Sequence, residues 1–317
     1  MDIIGFFNLL LWPIKWVIEA ILVGFHTVLT AVGLDPAAGL TWVLSIVGLV
    51  LVVRAALIPV FVRQIKSQRR MMEVAPQLKK IQDKYKGKKD QFSREAMSRE
   101  TMALYKKTGT NPLSSCLPLL LQMPIFFGLF SVLNSAQYGK AGVGLMNAQL
   151  AEQFGNAELF GIAPLHESFS NASNGWVQVI AVVMVILMTG SQFITQLQIM
   201  SKNQSPEMKA SPMYRQQRVL LYMLPLVFAF SGFTFPLGVM FYWLVSNFWT
   251  MGQQFIVIRN MPTPGSEAAL AREARIAKQR QRRGIVEDAP EGTIMEDPKS
   301  AQRQQPVSKS RSKKKKK

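Results

Sequence analysis

Cysteine and histidine are nearly missing from this chain, and carboxylates are missing from its apolar stretches. Cys116 is the single cysteine, and His26 and His166 are the two histidines, in 317 residues. One thiol cannot close an intrachain disulfide, and a lone cysteine with two histidines cannot furnish a four-ligand zinc site. Gly190-Ser191 has no histidine partner in any of the five apolar runs described below, which argues against an intramembrane serine hydrolase. Those runs also hold no Asp, Glu or His, the residues that a proton-coupled transporter places in its spans. There is no glycine-rich phosphate loop. The opening Met1-Asp2 lacks the basic start of a cleavable signal peptide, and no Arg-rich transit segment follows. These absences argue against an enzyme and imply no cofactor and no metal.

What remains is apolar sequence and positive charge, held apart. The chain is 49% hydrophobic with 37 basic residues and a mean hydropathy of +0.13. Apolar runs lie near 41–62, 113–134, 176–198, 219–235 and 237–258. Lys15, Arg54 and Lys140 aside, the basic residues fall in three segments, fourteen in 63–107, four in 201–218 and sixteen in 259–317. About 20 residues at 1.5 Å each cross a roughly 30 Å hydrocarbon core, so each run reads as a spanning helix. The positive-inside rule then places the three basic segments and the C-terminus in the cytoplasm, and 135–175, with Lys140 against Glu152, Glu158 and Glu167, outside. The expected fold is an all-α polytopic membrane protein. Its segments are 1–39, 40–62, a basic helical hairpin at 63–112, 113–134, a loop at 135–175, 176–200, 201–218, two spans within 219–258, and a basic tail at 259–317.

Arg54 interrupts the first run. A guanidinium at membrane depth costs about 2.5–3.5 kcal/mol on insertion scales, so something must offset it. No later run offers a carboxylate. A water-containing cavity lined by neutral polar side chains is the remaining solvent for it. Snorkelling to the nearer surface is the alternative.

Three further segments carry patterns. In 6–32, Asn8, Lys15, Glu19 and His26 fall on one helical face opposite Phe6, Leu10, Trp16 and Phe25. That stripe fits a helix lying in the interface, and the length also fits a sixth span. In 63–107, Met71, Val74 or Ala75, Leu78, Ile81 and Tyr85 make one stripe, and Phe92, Ala96, Met97, Ala103 and Leu104 another, as two paired amphipathic helices of about 20 and 15 residues would. The tail from Arg259 is too charged to bury a core, so disorder is expected, with 266–283 as a possible helical extension of the last span. Arg280, Arg282, Arg283 and Lys313, Lys314, Lys315, Lys316 and Lys317 suit a polyanion, either ribosomal RNA or anionic lipid. Neutral polar residues punctuate the spans: Gln122, Ser131 and Asn134; Gln178, Thr189, Ser191, Gln192, Thr195 and Gln196; Ser246, Asn247 and Gln253. Hydrogen bonding between helices is their ordinary role, and a subset facing Arg54 would hold water.

Three motifs then carry a resemblance. They are Asn111-Pro-Leu-Ser-Ser-Cys-Leu-Pro-Leu-Leu-Leu-Gln-Met-Pro-Ile-Phe-Phe127, Phe235-Pro-Leu-Gly-Val-Met-Phe-Tyr-Trp-Leu-Val-Ser-Asn247, and Val53-Arg54 followed by Pro59. Over residues 40–260 the chain resembles the YidC/Oxa/Alb membrane protein insertases, in motif order as well. The resemblance implies a five-transmembrane-helix core whose groove receives nascent membrane proteins from ribosomes, alone or beside the Sec translocon, with no cofactor. Arg54 matches the groove arginine. Tyr242 and Trp243 match a pair along which a substrate span slides, and Gln122, Gln192, Gln196 and Asn247 are the expected polar walls. Trp243 stands where a tyrosine is common, and Val50 where some members have threonine. A chain of this size looks like a Gram-positive or actinobacterial form. The competing expectation is a channel or transporter for an anionic small solute, with Arg54 as its selectivity charge.

Overall fold

In hydrocarbon only a helix pairs every backbone N–H and C=O within its own segment, and the apolar runs are helical over most of their described residues. The computed structural model describes residues 3–283 except residue 89, residues 111–116 and most of 210–231. Seven residues of the fourth expected span, 219–235, therefore lie outside the described residues, as do Cys116 and Lys313–Lys317. The helices are α1 (Ile3–Ala31), α2 (Gly39–Lys84), α3 (Gln91–Thr108), α4 (Leu117–Ala136), α5 (Ala148–Gly155), α6 (Gly175–Lys202), α7 (Pro206–Lys209), α8 (Leu237–Asn260) and α9 (Glu267–Arg282). A two-stranded antiparallel pair, β1 (Glu158–Leu159) and β2 (Ala163–Pro164), is the one sheet among them. Among the described residues, Leu9–Ala31, Gly39–Met71 and Gly175–Lys202 are long and apolar enough to cross a membrane. Helix α8 is less apolar because Ser246, Asn247, Thr250, Gln253 and Gln254 interrupt it.

Helix α1 folds back along α2. The ring of Phe25 lies against Gly48, where no Cβ would fit, and Ile18 reaches the level of Arg54. The polar stripe of α1 points inward, which departs from the interfacial expectation. Lys15, Glu19 and His26 are buried, whereas Leu10 and Trp16 are exposed. The reason lies in the partners supplied by distant chain. Glu19 accepts backbone N–H bonds from Val143 (2.9 Å) and Gly144 (2.6 Å). The Nε2 of His26 donates to the Pro36 carbonyl at 2.9 Å, and its ring stacks on Trp42 at 4.0 Å. Buried polar groups persist only with such partners.

Helix α2 is one continuous rod of 46 residues, so the first span and the first arm of the basic hairpin share a helix across residue 62. Pro59 and Pro76 lie inside it. Helix α3 returns beside it, starting at Asp90, whose carboxylate caps the Ser93 N–H at 2.8 Å, and ending at Gly109 in the left-handed region (φ 62°). Val74 and Tyr105 are buried, and Lys84 and Tyr85 both donate to Glu100. Phe92, expected in the buried stripe, is exposed at the start of α3.

Residues 137–174 fold as a cap over one end of the bundle. Helix α8 docks on it because the first N–H groups of any helix lack partners within the helix. Leu237 N–H donates to Glu167 O (2.8 Å) and Gly238 N–H to Leu165 O (2.9 Å). Gly39 begins α2 so close to the Glu158–Leu159 backbone that a Cβ would collide with it. The β1–β2 turn puts Phe160 (φ 55°) and Gly161 (φ 68°) in the left-handed region, and Ile162 N–H donates to Leu159 O. A bulky residue held there costs on the order of 1–2 kcal/mol.

The helix expected within 266–283 is present as Glu267–Arg282, but it is a separate helix and not a continuation of α8, and the tail beyond Arg283 lies outside the described residues. Helix α9 is separated from α8 by Met261–Ser266, where Pro262 and Pro264 lack N–H groups and Gly265 has a positive φ (71°). Ser266 caps the new helix through Ala269 N–H (3.2 Å), and alanine, glutamate and arginine sustain it. Residues 275–317 form a second unit, described only to Arg283 and helical to Arg282.

Candidate functional site

Four helices meet around Arg54. On α2, Leu49, Val50, Val53 and Arg54 fall on one face, since positions three and four apart lie above one another. On α4, Gln122, Ile125 and Leu129 do the same. Ile18 of α1 and Tyr242 of α8 complete a narrow cleft with room for about one water molecule. Arg54 is half-buried, and it is the one charged side chain among the lining residues. No Asp or Glu stands among the residues that line the cleft, so no carboxylate there neutralises Arg54. Its neighbours of opposite polarity are neutral oxygens. Gln122 Nε2 donates to Tyr242 Oη at 3.2 Å, which leaves the Gln122 carbonyl and the Tyr242 hydroxyl proton for another partner.

The sequence expectation grouped seven residues, and the structure brings three of them, Arg54, Gln122 and Tyr242, into this cleft. Trp243 points elsewhere. Successive helix residues are about 100° apart, so Tyr242 facing Arg54 turns Trp243 toward Phe126 (5.4 Å) and Phe235 (5.6 Å). Phe130 joins the same cluster, edge-on to Phe235 at 5.7 Å. Asn247 is buried between α8 and α6, its Nδ2 making a long 3.5 Å bond to Met188 O. The Ser191 hydroxyl donates to that carbonyl too, at 3.0 Å. Gln192 and Gln196 are half-buried on α6, away from the lining of the cleft. Arg280 and Arg282 lie on α9 and Arg283 follows it.

One contributor escaped sequence reasoning, and another was read only as part of a polar stripe. Ile18 supplies a wall of the cleft from the N-terminal helix, and Glu19 beside it fastens that helix to the cap. The only sequence signal was the polar stripe itself, whose buried polarity was consistent with either water or protein partners. Among the described residues, no group of three or more His, Cys, Asp or Glu could hold a metal ion.

Residues 33–264 match the family model described as 60Kd inner membrane protein. The chain is 45% identical to a protein of Tropheryma whipplei (strain Twist) named "Membrane protein insertase YidC", over 97% of each chain. It is also 45% identical to a protein of that name from Streptomyces avermitilis, covering 88% of this chain and 64% of that one. A third bearer of the name, from Bifidobacterium longum, is 37% identical over 86% and 82%. The matched region contains α2 to α8, and so the whole cleft except Ile18.

Proposed function

The chain belongs to the 60Kd inner membrane protein family, the YidC/Oxa insertases of bacterial plasma membranes, and from that premise we propose that it inserts and helps fold nascent integral membrane proteins at the Arg54 cleft. The observation that carries the reading is a half-buried guanidinium lining a cleft with no carboxylate beside it. Such a charge is an unfilled site for an acidic group of a translocating segment. Gln122 and Tyr242 offer further hydrogen bonds to that segment's backbone. The polar groove shortens the apolar path, and the substrate's own apolar span then leaves into lipid, because its transfer from water is favourable. Partitioning drives the cycle and no cofactor is implied.

The groove widens in this reading to include Gln192, Gln196, Trp243 and Asn247. The hairpin of α2 and α3 and the basic tail lie in the cytoplasm with the C-terminus. Arg280, Arg282, Arg283 and Lys313–Lys317 meet ribosomal RNA and anionic lipid, and the protein works alone or beside the Sec translocon.

The test uses purified protein in liposomes. A single-span substrate with an acidic N-terminal tail is synthesised beside them, and protease protection of the tail is scored for wild type and Arg54→Leu. A charge-assisted hydrogen bond is worth about 1.5–3 kcal/mol, so Arg54→Leu should lower protection at least about tenfold. Equal protection with both would keep an insertase and remove Arg54 from its mechanism. Protection with neither, together with Arg54-dependent anion flux, would replace the insertase with a solute channel.

A further inference from the structure

A strained aromatic residue sits exposed at the tip of the β1–β2 turn. The positive φ of Phe160 and Gly161 and the Ile162 N–H bond to Leu159 O are those of a hairpin turn that normally takes Asn-Gly. Phenylalanine is poorly suited to that backbone and is 73% exposed, so neither local conformation nor burial explains it. Strain of this kind is retained where the residue has a task.

The position of the turn indicates the task. The Asn174 side chain donates from Nδ2 to Ile162 O at 2.9 Å, while its Oδ1 accepts from Trp176 N–H (2.9 Å) and Val177 N–H (3.2 Å). One side chain thus caps α6 and holds the turn beside its first residues. Helix α6 is a membrane-crossing candidate that starts at Gly175, so its cap marks the level of the bilayer boundary. Trp176 is 59% exposed and heads an exposed apolar stripe through Val179, Val183 and Ile186. Phe160 and Ile162 are exposed too, in the turn that Asn174 ties to the start of this helix. Glu158 is the only charged residue between Asn156 and Leu165, so the patch attracts through apolar contact and not through charge.

We propose that the Phe160–Ile162 turn is an interfacial anchor, which sinks into the ester and upper acyl region of the lipid leaflet next to the start of α6. It is tied to the start of α6 and, with Trp176, pins the cap at a fixed depth, as aromatic belts do. Anchoring needs only that α6 spans, and it stands or falls separately from insertion at Arg54.

The experiment places a nitroxide at Phe160→Cys in a Cys116→Ser background, reconstituted in phosphatidylcholine bilayers. Collision with oxygen, which concentrates in acyl chains, is compared with collision with a water-soluble nickel chelate. Lys140→Cys, on the exposed surface of the cap, is the aqueous reference, and Ile186→Cys, exposed in mid-α6, is the acyl-chain reference. The anchor predicts nickel access at 160 several-fold below that at 140, with oxygen access between the two references. Nickel access equal to that at 140 would overturn it in favour of a water-exposed tip. Low access to both reagents would overturn it in favour of a protein surface, such as a second copy, covering the turn. Ile162→Cys reads the same surface where labelling at 160 disturbs the turn, and an insertion-inactive protein with position 160 in lipid would leave the anchor intact.

Discussion

The carboxylate of Glu19 accepts a 2.6 Å hydrogen bond from the backbone N–H of Gly144, 125 residues further along the chain. A second bond comes from Val143 at 2.9 Å and a longer one from Met146 at 3.4 Å. Glu19 is 1% exposed, so these amides stand in for water around its charge. The clamp matters for the site because Ile18, the next residue, is a wall of the Arg54 cleft. Helix α1 is held over Arg54 by a bond to the cap.

Glu19→Ala removes the acceptor of the part-buried Val143 and Gly144 amides and of the buried Met146 amide, and a buried amide left unpaired costs about 1–3 kcal/mol. The expected loss is about 1–3 kcal/mol, read as a fall in thermal stability in detergent. Glu19→Gln keeps one acceptor oxygen and should lose about half as much. Equal stability of wild type and Glu19→Ala would show that the clamp does not hold in solution.

Tyr242→Phe removes the acceptor of Gln122 Nε2 without emptying the space. Stability should change by no more than about 1 kcal/mol, the net worth of one hydrogen bond. Protection of an acidic tail should fall further than protection of a neutral one, because Gln122 is freed to turn away from the cleft. A paired insertion assay with both tails checks the difference.

Trp243→Ala should behave in the opposite way. Its ring packs on Phe126 and Phe235, so truncation removes core contacts and costs about 2–4 kcal/mol. Trp243→Phe refills the cluster and should recover most of that stability. Rescue by phenylalanine of both stability and insertion would assign Trp243 to packing. Loss of insertion in a stable Trp243→Phe protein would assign it to the substrate path.

The basic hairpin carries a pH signature. The hydrogen bond from Lys84, with that from Tyr85, holds the Glu100 carboxyl below its usual range. The same contact with Glu100 raises the Lys84 ammonium. A depressed carboxyl stabilises the folded state above its unfolded pKa and loses that contribution as pH falls through the folded one. A raised ammonium stabilises below its unfolded pKa and loses it as pH rises through the folded one. The Lys84–Glu100 contact should therefore persist between about pH 5 and 10 and weaken outside that window. Dipolar broadening between nitroxides at Gln82 and Met102 should be flat across the window and fall below about pH 4. Glu100→Gln should flatten the acid limb.

Gly39 offers a packing test. A side chain there meets the backbone of Glu158 and Leu159, which cannot rotate away. Gly39→Val should separate the start of α2 from β1 and destabilise the protein by about 1–3 kcal/mol. Gly24, with open space around its Cβ position, is the control at which alanine should be tolerated.

Much of the molecule was legible in its sequence. Apolar runs, separated charge and the lone Arg54 establish an all-α membrane protein, because a bilayer admits few other solutions. The motifs around Arg54, Gln122 and Tyr242 identified the residues that do meet in one cleft. Periodicity also located the hairpin stripe that buries Val74. Tertiary structure decided the rest. A helical pattern gives the face on which a residue lies but not what packs against that face. Hence Trp243 turned into an aromatic cluster and Asn247 into the α6–α8 contact, while Ile18 entered the cleft. The polar stripe of α1 is the clearest case. Lys15, Glu19 and His26 announce polarity in the sequence, yet only the fold supplies the amides of residues 143–146 and the Pro36 carbonyl that make burial cheaper than water. Local sequence fixes which groups need partners, and long-range packing chooses those partners.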